Sequence, residues 1–274
     1  MKIKIVDLNP NIVAAMQARF KDEPKVEVIH GSILTQIDSC VWVTPTNARG
    51  NMSGGVDLAI KNWIGQGVEN SLKGTIIAQF GGLLPVGRAV VTDVRPFNHL
   101  ARPMFVISTP TMEGESDDLR RTKNAAMAMA AAFQALYSVM DKSDVQIESV
   151  AIPGLGSGTG KMSPETCAEL MFVGYTLFRR RRYENFEAMI EELYMELAQT
   201  GKPEIAAVLA KDVLQELAPQ AWLPGDPASG ADDVDMMGDH LASAAKMTFD
   251  PNTGELGMEV PVTQEVKIVK ATFE

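Results

Sequence analysis

The run Ile152-Pro153-Gly154-Leu155-Gly156-Ser157-Gly158-Thr159-Gly160-Lys161-Met162-Ser163-Pro164-Glu165 constrains the fold more than any other stretch of the chain. It follows Glu148-Ser149-Val150-Ala151-Ile152, which reads as a buried strand. Ser163 before Pro164 reads as an N-cap with proline at the first helical position. Alternate glycines let the backbone turn tightly and approach a ligand closely. A strand, a glycine loop and a helix start bring several N–H groups and a positive dipole end to one place, which suits phosphate. The spacing excludes the common schemes. A P-loop would need glycine at Leu155 and Ser or Thr at Met162, and a dinucleotide fingerprint starting at Gly154 would need glycine at Thr159. Ser157 lacks the flanking glycines of a nucleophile elbow, since Leu155 and Thr159 stand there.

A second cluster has the same design. Val41-Trp42-Val43-Thr44-Pro45-Thr46-Asn47 is a β-branched run, followed by Ala48-Arg49-Gly50-Asn51-Met52-Ser53-Gly54-Gly55-Val56-Asp57. Val56, Ala59, Ile60, Trp63 and Ile64 then follow the spacing of one helical face. Asn47 falls at the strand's carboxyl end, and Asp57 in the helix's first turn, where the dipole favours a carboxylate. Each residue also fits a plain local role, Asn47 as a turn residue and Asp57 as a dipole partner. Two such turns in one α/β chain point to a ligand, because these sheets bind at the carboxyl ends of their strands.

Three stretches together resemble the macro domain, the ADP-ribose-binding α/β module. Ile29-His30-Gly31-Ser32-Ile33 resembles its G-D-I opening segment. Thr46-Asn47 through Ser53-Gly54-Gly55-Val56-Asp57 resembles its N-A-N and G-G-G-V-D segment, and Gly154 to Gly160 resembles its phosphate loop. Phe105-Val106-Ile107-Ser108-Thr109-Pro110-Thr111-Met112 is similar to a strand-end segment of a bacterial and viral branch. The resemblance covers about residues 1–180. It implies that Ser53, Gly54, Gly55 and Val56 clasp a diphosphate together with Gly156, Ser157, Gly158, Thr159 and Gly160. It also implies that Ser32 and Ile33 lie at the adenine, and that Asn47 and Asp57 act at the distal ribose, Asp57 orienting a water. Ser32 replaces the family's aspartate, so it would accept a hydrogen bond from adenine more weakly, charge-assisted bonds being roughly twice as strong as neutral ones. Two functions follow: hydrolysis of an ADP-ribosyl linkage, or binding alone, as a reader or accessory protein. Lys61, one turn beyond Asp57, reads as a solvated helix lysine more readily than as a catalytic amine.

The alternation of elements predicts strands at 2–6, 26–30, 40–46, 88–94, 104–108 and 147–152, and helices at 10–21, 55–72, 119–140 and 164–182. The expected fold is a three-layer α/β sandwich around a mixed sheet, spanning 1–182. Val6-Asp7-Leu8-Asn9-Pro10 also suggests a methyltransferase half, but no glycine loop precedes it. Residues 183–274 read as an extension that docks on a protein partner. Its parts are helices over Asn185–Gln199 and Glu204–Leu217, an acidic linker over Pro219–Asp239, two strands around a turn in Lys246–Leu256, and a third at Val266–Lys270. A net charge of −10 disfavours nucleic acid and anionic membrane as partners. The basic run Arg179-Arg180-Arg181-Arg182 reads as a helix C-terminal cap. Cys40 and Cys167 read as buried thiols, and His30, His99 and His240 lack ligand spacing, so neither a metal nor a cofactor is expected. With no signal sequence and no apolar span of the roughly 18–20 residues a bilayer needs, the expected compartment is the cytoplasm.

Overall fold

The computed structural model describes residues 1–142, 145–180, 186–202, 205–206, 246–249, 256–262 and 265–271. The chain divides into two compact units, Met1–Met189 and Ile190–Glu274. In the first unit the order is β1 (Lys2–Asp7), α1 (Pro10–Phe20), β2 (Val26–His30), β3 (Val41–Thr44), α2 (Gly55–Ile64), α3 (Gly67–Phe80), β4 (Val90–Asp93), β5 (Phe105–Ser108), α4 (Asn124–Lys142), β6 (Ser149–Pro153) and α5 (Pro164–Arg180).

The six strands form one sheet in the order β2-β1-β6-β3-β5-β4. All neighbours are parallel except β4, which runs antiparallel to β5. This is the mixed α/β sheet expected from the alternation. The central β3 and β6 are buried along their whole length, as strands covered on both faces must be. On one face Val6, Trp42, Val106 and Ala151 pack with Ile60, Ile64, Leu72 and Ile76 of α2 and α3. The other face carries α1, α5 and α4, with α5 against both of its neighbours. At that crossing a Cβ on Gly174 would lie 2.4 Å from the Ala126 carbonyl oxygen, so only glycine lets α5 sit this close to the alanine-rich α4.

Two helices differ from the sequence expectation. The run 55–72 is two helices, because the Gly65 N–H closes α2 on the Lys61 carbonyl at 2.7 Å and α3 restarts at Gly67. The helix expected from 119 begins only at Asn124. Leu119 instead donates its N–H to the Gly160 carbonyl at 2.9 Å, so residues before α4 brace the second glycine loop.

Helix α6 (Phe186–Gln199) lies within the helical stretch expected at 185–199. A separate antiparallel ribbon is formed by β7 (Lys246–Phe249), β8 (Leu256–Val262) and β9 (Glu265–Ala271), in that order; β8 begins at Leu256, where the sequence expectation ends its second strand. The helix expected at 204–217 is described only at 205–206, and the acidic linker lies outside the described residues, as does the basic run beyond Arg180. Among the described residues no helix is long and apolar enough to cross a membrane, and no group of three or more His, Cys, Asp or Glu could hold a metal. Cys40 and Cys167 are free and buried, and burial pushes the Cys167 thiol up to about 12.

Candidate functional site

Four parallel strands, β1, β3, β5 and β6, end at the same edge of the sheet, and the loops leaving them enclose a cleft of about 240 Å³. The wall after β6 is the glycine loop. Its amides 156 to 160 donate to no protein acceptor among the described residues, whereas its carbonyls are held. The Gly156 oxygen accepts from the Met162 N–H at 3.4 Å, the Gly158 oxygen from the Lys161 N–H at 3.2 Å, and the Gly160 oxygen from Leu119. The loop is therefore fixed through its acceptors and keeps its donors for a ligand, the arrangement of an anion-binding nest. Gly156 has φ +84°, a conformation side chains rarely adopt, and a Cβ on Gly160 would meet the Gly156 oxygen at 2.6 Å. Behind the loop, the Ser163 hydroxyl oxygen accepts from the Thr166 N–H at 3.2 Å, the N-cap expected from sequence.

The opposite wall is the start of α2, where Gly54, Gly55, Val56 and Asp57 line the cleft. The strands leading to it are zipped past their ends. Thr109 and Thr111 donate N–H groups to the carbonyls of Thr44 and Thr46 at 3.1 and 3.3 Å, and Asn47 bridges Met112. Asn47 lies behind the lining, buried, and its Oδ1 accepts from the N–H groups of Arg49 and Asn51, both at 3.1 Å. Its carbonyl thus shapes the first glycine turn. Ser53 is exposed and, like Ser32 and Ile33, stands outside the lining. The Ser32 hydroxyl oxygen accepts from the Leu34 N–H at 3.2 Å, capping a short 3-10 turn in which Ile33 is buried.

Asp57 is partly buried and accepts a hydrogen bond from the Thr44 hydroxyl at the end of β3. Burial raises its carboxyl to about 6, although the Thr44 bond pulls the other way by favouring the charged form. The group is therefore mostly ionised at neutral pH and close to the range that suits a general base.

Lys61 is neither solvated nor aimed at the cleft chemistry. It pairs with Glu69 at 2.9 Å, because Gly67 starts a new helix that brings this carboxylate under the loop. Glu69 also accepts from Lys73 at 2.9 Å, from Gln66 at 2.7 Å and from the Met52 N–H at 3.1 Å. Burial alone would raise its carboxyl, but these donors outweigh it and hold the group at about 2. Glu69 ties the first glycine loop to α2 and α3.

The sequence reading did not assign Asp7, Asn9, Pro45, Thr111 or Met112 to the cleft, and all five line it. The signal for the first two was an acidic strand end before a capped helix. The strand order that brings β1 beside β6 could not be read from it.

The residues that resemble the phosphate loop and the G-G-V-D segment thus share one cleft. A macro domain family model matches residues 43–171. An uncharacterized protein of Aquifex aeolicus is 34% identical over 151 residues, which span 53% of this chain and 78% of that protein. The chain belongs to the macro domain family. Macro domains bind ADP-ribose, and some of them hydrolyse ADP-ribosyl linkages. An uncharacterized protein of Aeropyrum pernix is 30% identical over 164 residues, spanning 59% of this chain and 77% of that protein. Among solved structures, the macrodomain of Thermus aquaticus DarG is 20% identical with a TM-score of 0.43, over 53% of this chain and 85% of that one. An Oceanobacillus iheyensis macrodomain with ADP is 18% identical with a TM-score of 0.41, over 59% of this chain and 84% of that one. In this macro domain the matched span begins in β3, so β1, α1 and β2 lie before it although β1 sits inside the sheet.

Proposed function

We propose that this macro domain binds ADP-ribose, or the ADP-ribosyl group of a larger molecule, and hydrolyses the linkage at the distal ribose. The observation that carries the reading is the meeting of two glycine segments and the Asp57 carboxylate in a single cleft. The diphosphate sits on the free amides of residues 156–160 and on the first turn of α2, where N–H groups and the helix dipole favour negative charge. Water adds at the ribose carbon as Asp57 takes its proton, the bond from that carbon to the linked group breaks, and the proton passes from Asp57 to the departing group; Thr44 keeps the carboxylate oriented. Fixed amides hold the diphosphate in place, so the gain is in positioning rather than in new chemistry.

The engagement of Asn47 favours a second reading. Its Oδ1 is taken by two backbone N–H groups of its own turn. If that side chain orients no ribose, the cleft binds without cleaving, and residues 183–274 carry the function by docking on a partner protein. Incubation with ADP-ribosylated protein, followed by mass, separates the two. Hydrolysis is expected in the wild type, and Asp57→Ala should slow it roughly 10²-fold or more while ADP-ribose still binds. Tight binding with no release from any ADP-ribosyl ester or glycoside would leave the binding reading standing.

A further inference from the structure

Among the described residues, four buried side-chain hydroxyls have no hydrogen-bond partner: Ser39, Thr46, Thr92 and Ser108. A buried hydroxyl without a partner has given up its water with nothing in return, so each calls for an explanation. Ser108 is set apart by its place in the sheet. It is fully buried at the end of β5, in register with Thr44 of β3, the residue whose hydroxyl donates to Asp57. Two residues earlier the same ladder pairs Val106 with Trp42, and both pack with the residues of α2 and α3. Side chains alternate along a strand, so Ser108 and Thr44 share that face, on strands about 4.8 Å apart. On its other side Ser108 is paired with Val90, and Val106 and Pro110 stand two residues before and after it. Of these four neighbours only Thr44 carries a polar side chain.

A carboxylate can only accept, so the single hydrogen of the Thr44 hydroxyl is committed to Asp57. The Thr44 oxygen keeps its lone pairs for a donor. Its ladder partner offers one in the Ser108 hydroxyl, whose oxygen moves across the shared face as it turns between staggered positions. We propose that Ser108 is a positioning residue for Asp57: its hydroxyl donates to the Thr44 oxygen, and the chain from Ser108 through Thr44 holds the carboxylate in place and favours its charged form. Hydrogen bonds in a row polarise one another away from water, so the outer donor is felt at the inner acceptor. The inference rests on the hydrolytic reading of Asp57 and extends it to a residue outside the cleft lining. The charged groups on the elements around Asp57 are Lys61 on its own helix, Glu69 and Lys73 of α3, and Asp7 at the end of β1. All four are kept in the variants compared.

The test is the titration of Asp57, followed through the carbon resonance of its labelled carboxyl, in wild type, Ser108→Ala, Thr44→Val and the double variant. Ser108→Ala should raise the midpoint by about half a pH unit, the scale of one cross-strand side-chain pair. In the Thr44→Val background it should change nothing further, because the link is already cut. A disturbance of packing alone would move both backgrounds alike. Equal midpoints in wild type and Ser108→Ala, or the same shift with and without the Thr44 hydroxyl, would overturn the inference. Ser108→Cys, close in size and only a weak donor, carries the same comparison should the alanine variant not fold. Turnover on ADP-ribosylated protein should fall severalfold in Ser108→Ala with ADP-ribose affinity unchanged, and undiminished turnover would also overturn the inference. A coupled titration in a wild type that hydrolyses nothing would uphold the hydroxyl chain and overturn the hydrolytic reading instead.

Discussion

At Asp57, packing sets the titration of a carboxyl that lines the cleft. Its carboxyl titrates near 6 in the folded chain against 3.8 in a free carboxyl. A raised acid binds its proton more tightly folded than unfolded, so ionisation costs stability. That cost is absent below about pH 3.8 and complete above about pH 6. Asp57→Asn removes it, and the variant should be more stable than wild type by about 1–3 kcal/mol at pH 7.5, with the difference fading toward pH 4. Urea melts at the two pH values measure this. A gain that did not change with pH would mean that the carboxyl is not desolvated. Under the hydrolytic reading the same group sets the acid limb of turnover near pH 6, where activity falls as Asp57 gains its proton.

At the scale of elements, the first glycine loop is held by a helix that the sequence pattern merged with its neighbour. The apolar spacing runs on through residues 55–72, and helical periodicity alone does not register a break at Gly65. That break brings Glu69 beneath Met52 and Lys61. Glu69→Ala should cost about 3–5 kcal/mol, the scale of removing one partner from a buried ion pair. Its loss should also weaken ADP-ribose binding through the loosened loop. Glu69→Gln keeps an acceptor for the Met52 N–H and should restore much of the binding but less of the stability. Equal affinity in a folded Glu69→Ala variant would show that the loop stands without this anchor. The carboxylate contributes stability above pH 4.5 that is lost as pH falls toward about 2, since its folded value lies below its free one.

At the scale of the whole molecule, the sequence was legible where local chemistry decides the structure. Strand, glycine loop and N-cap follow one another in a few residues at 148–166, and the structure has all three in place. The α/β alternation was legible for the same reason. What local pattern does not encode is strand order. Asp7 ends a strand remote in sequence from Pro153, and only the insertion of β1 between β2 and β6 brings its carboxylate to the Gly154 amide. Ser32, placed at the adenine by resemblance, also caps its own turn, because its hydroxyl oxygen satisfies the free N–H two residues on. The central claim is that the free amides of the second glycine loop hold a diphosphate. Gly158 tests it cleanly, since it lines the cleft and a Cβ there would meet nothing within 4 Å. Calorimetry should give wild type a dissociation constant for ADP-ribose at or below about 100 μM, on the order of −5.5 kcal/mol. A folded Gly158→Glu variant, with a carboxylate set into the anion site, should give no heat. Unchanged affinity in that variant, or no wild-type binding at millimolar ADP-ribose, would contradict the account.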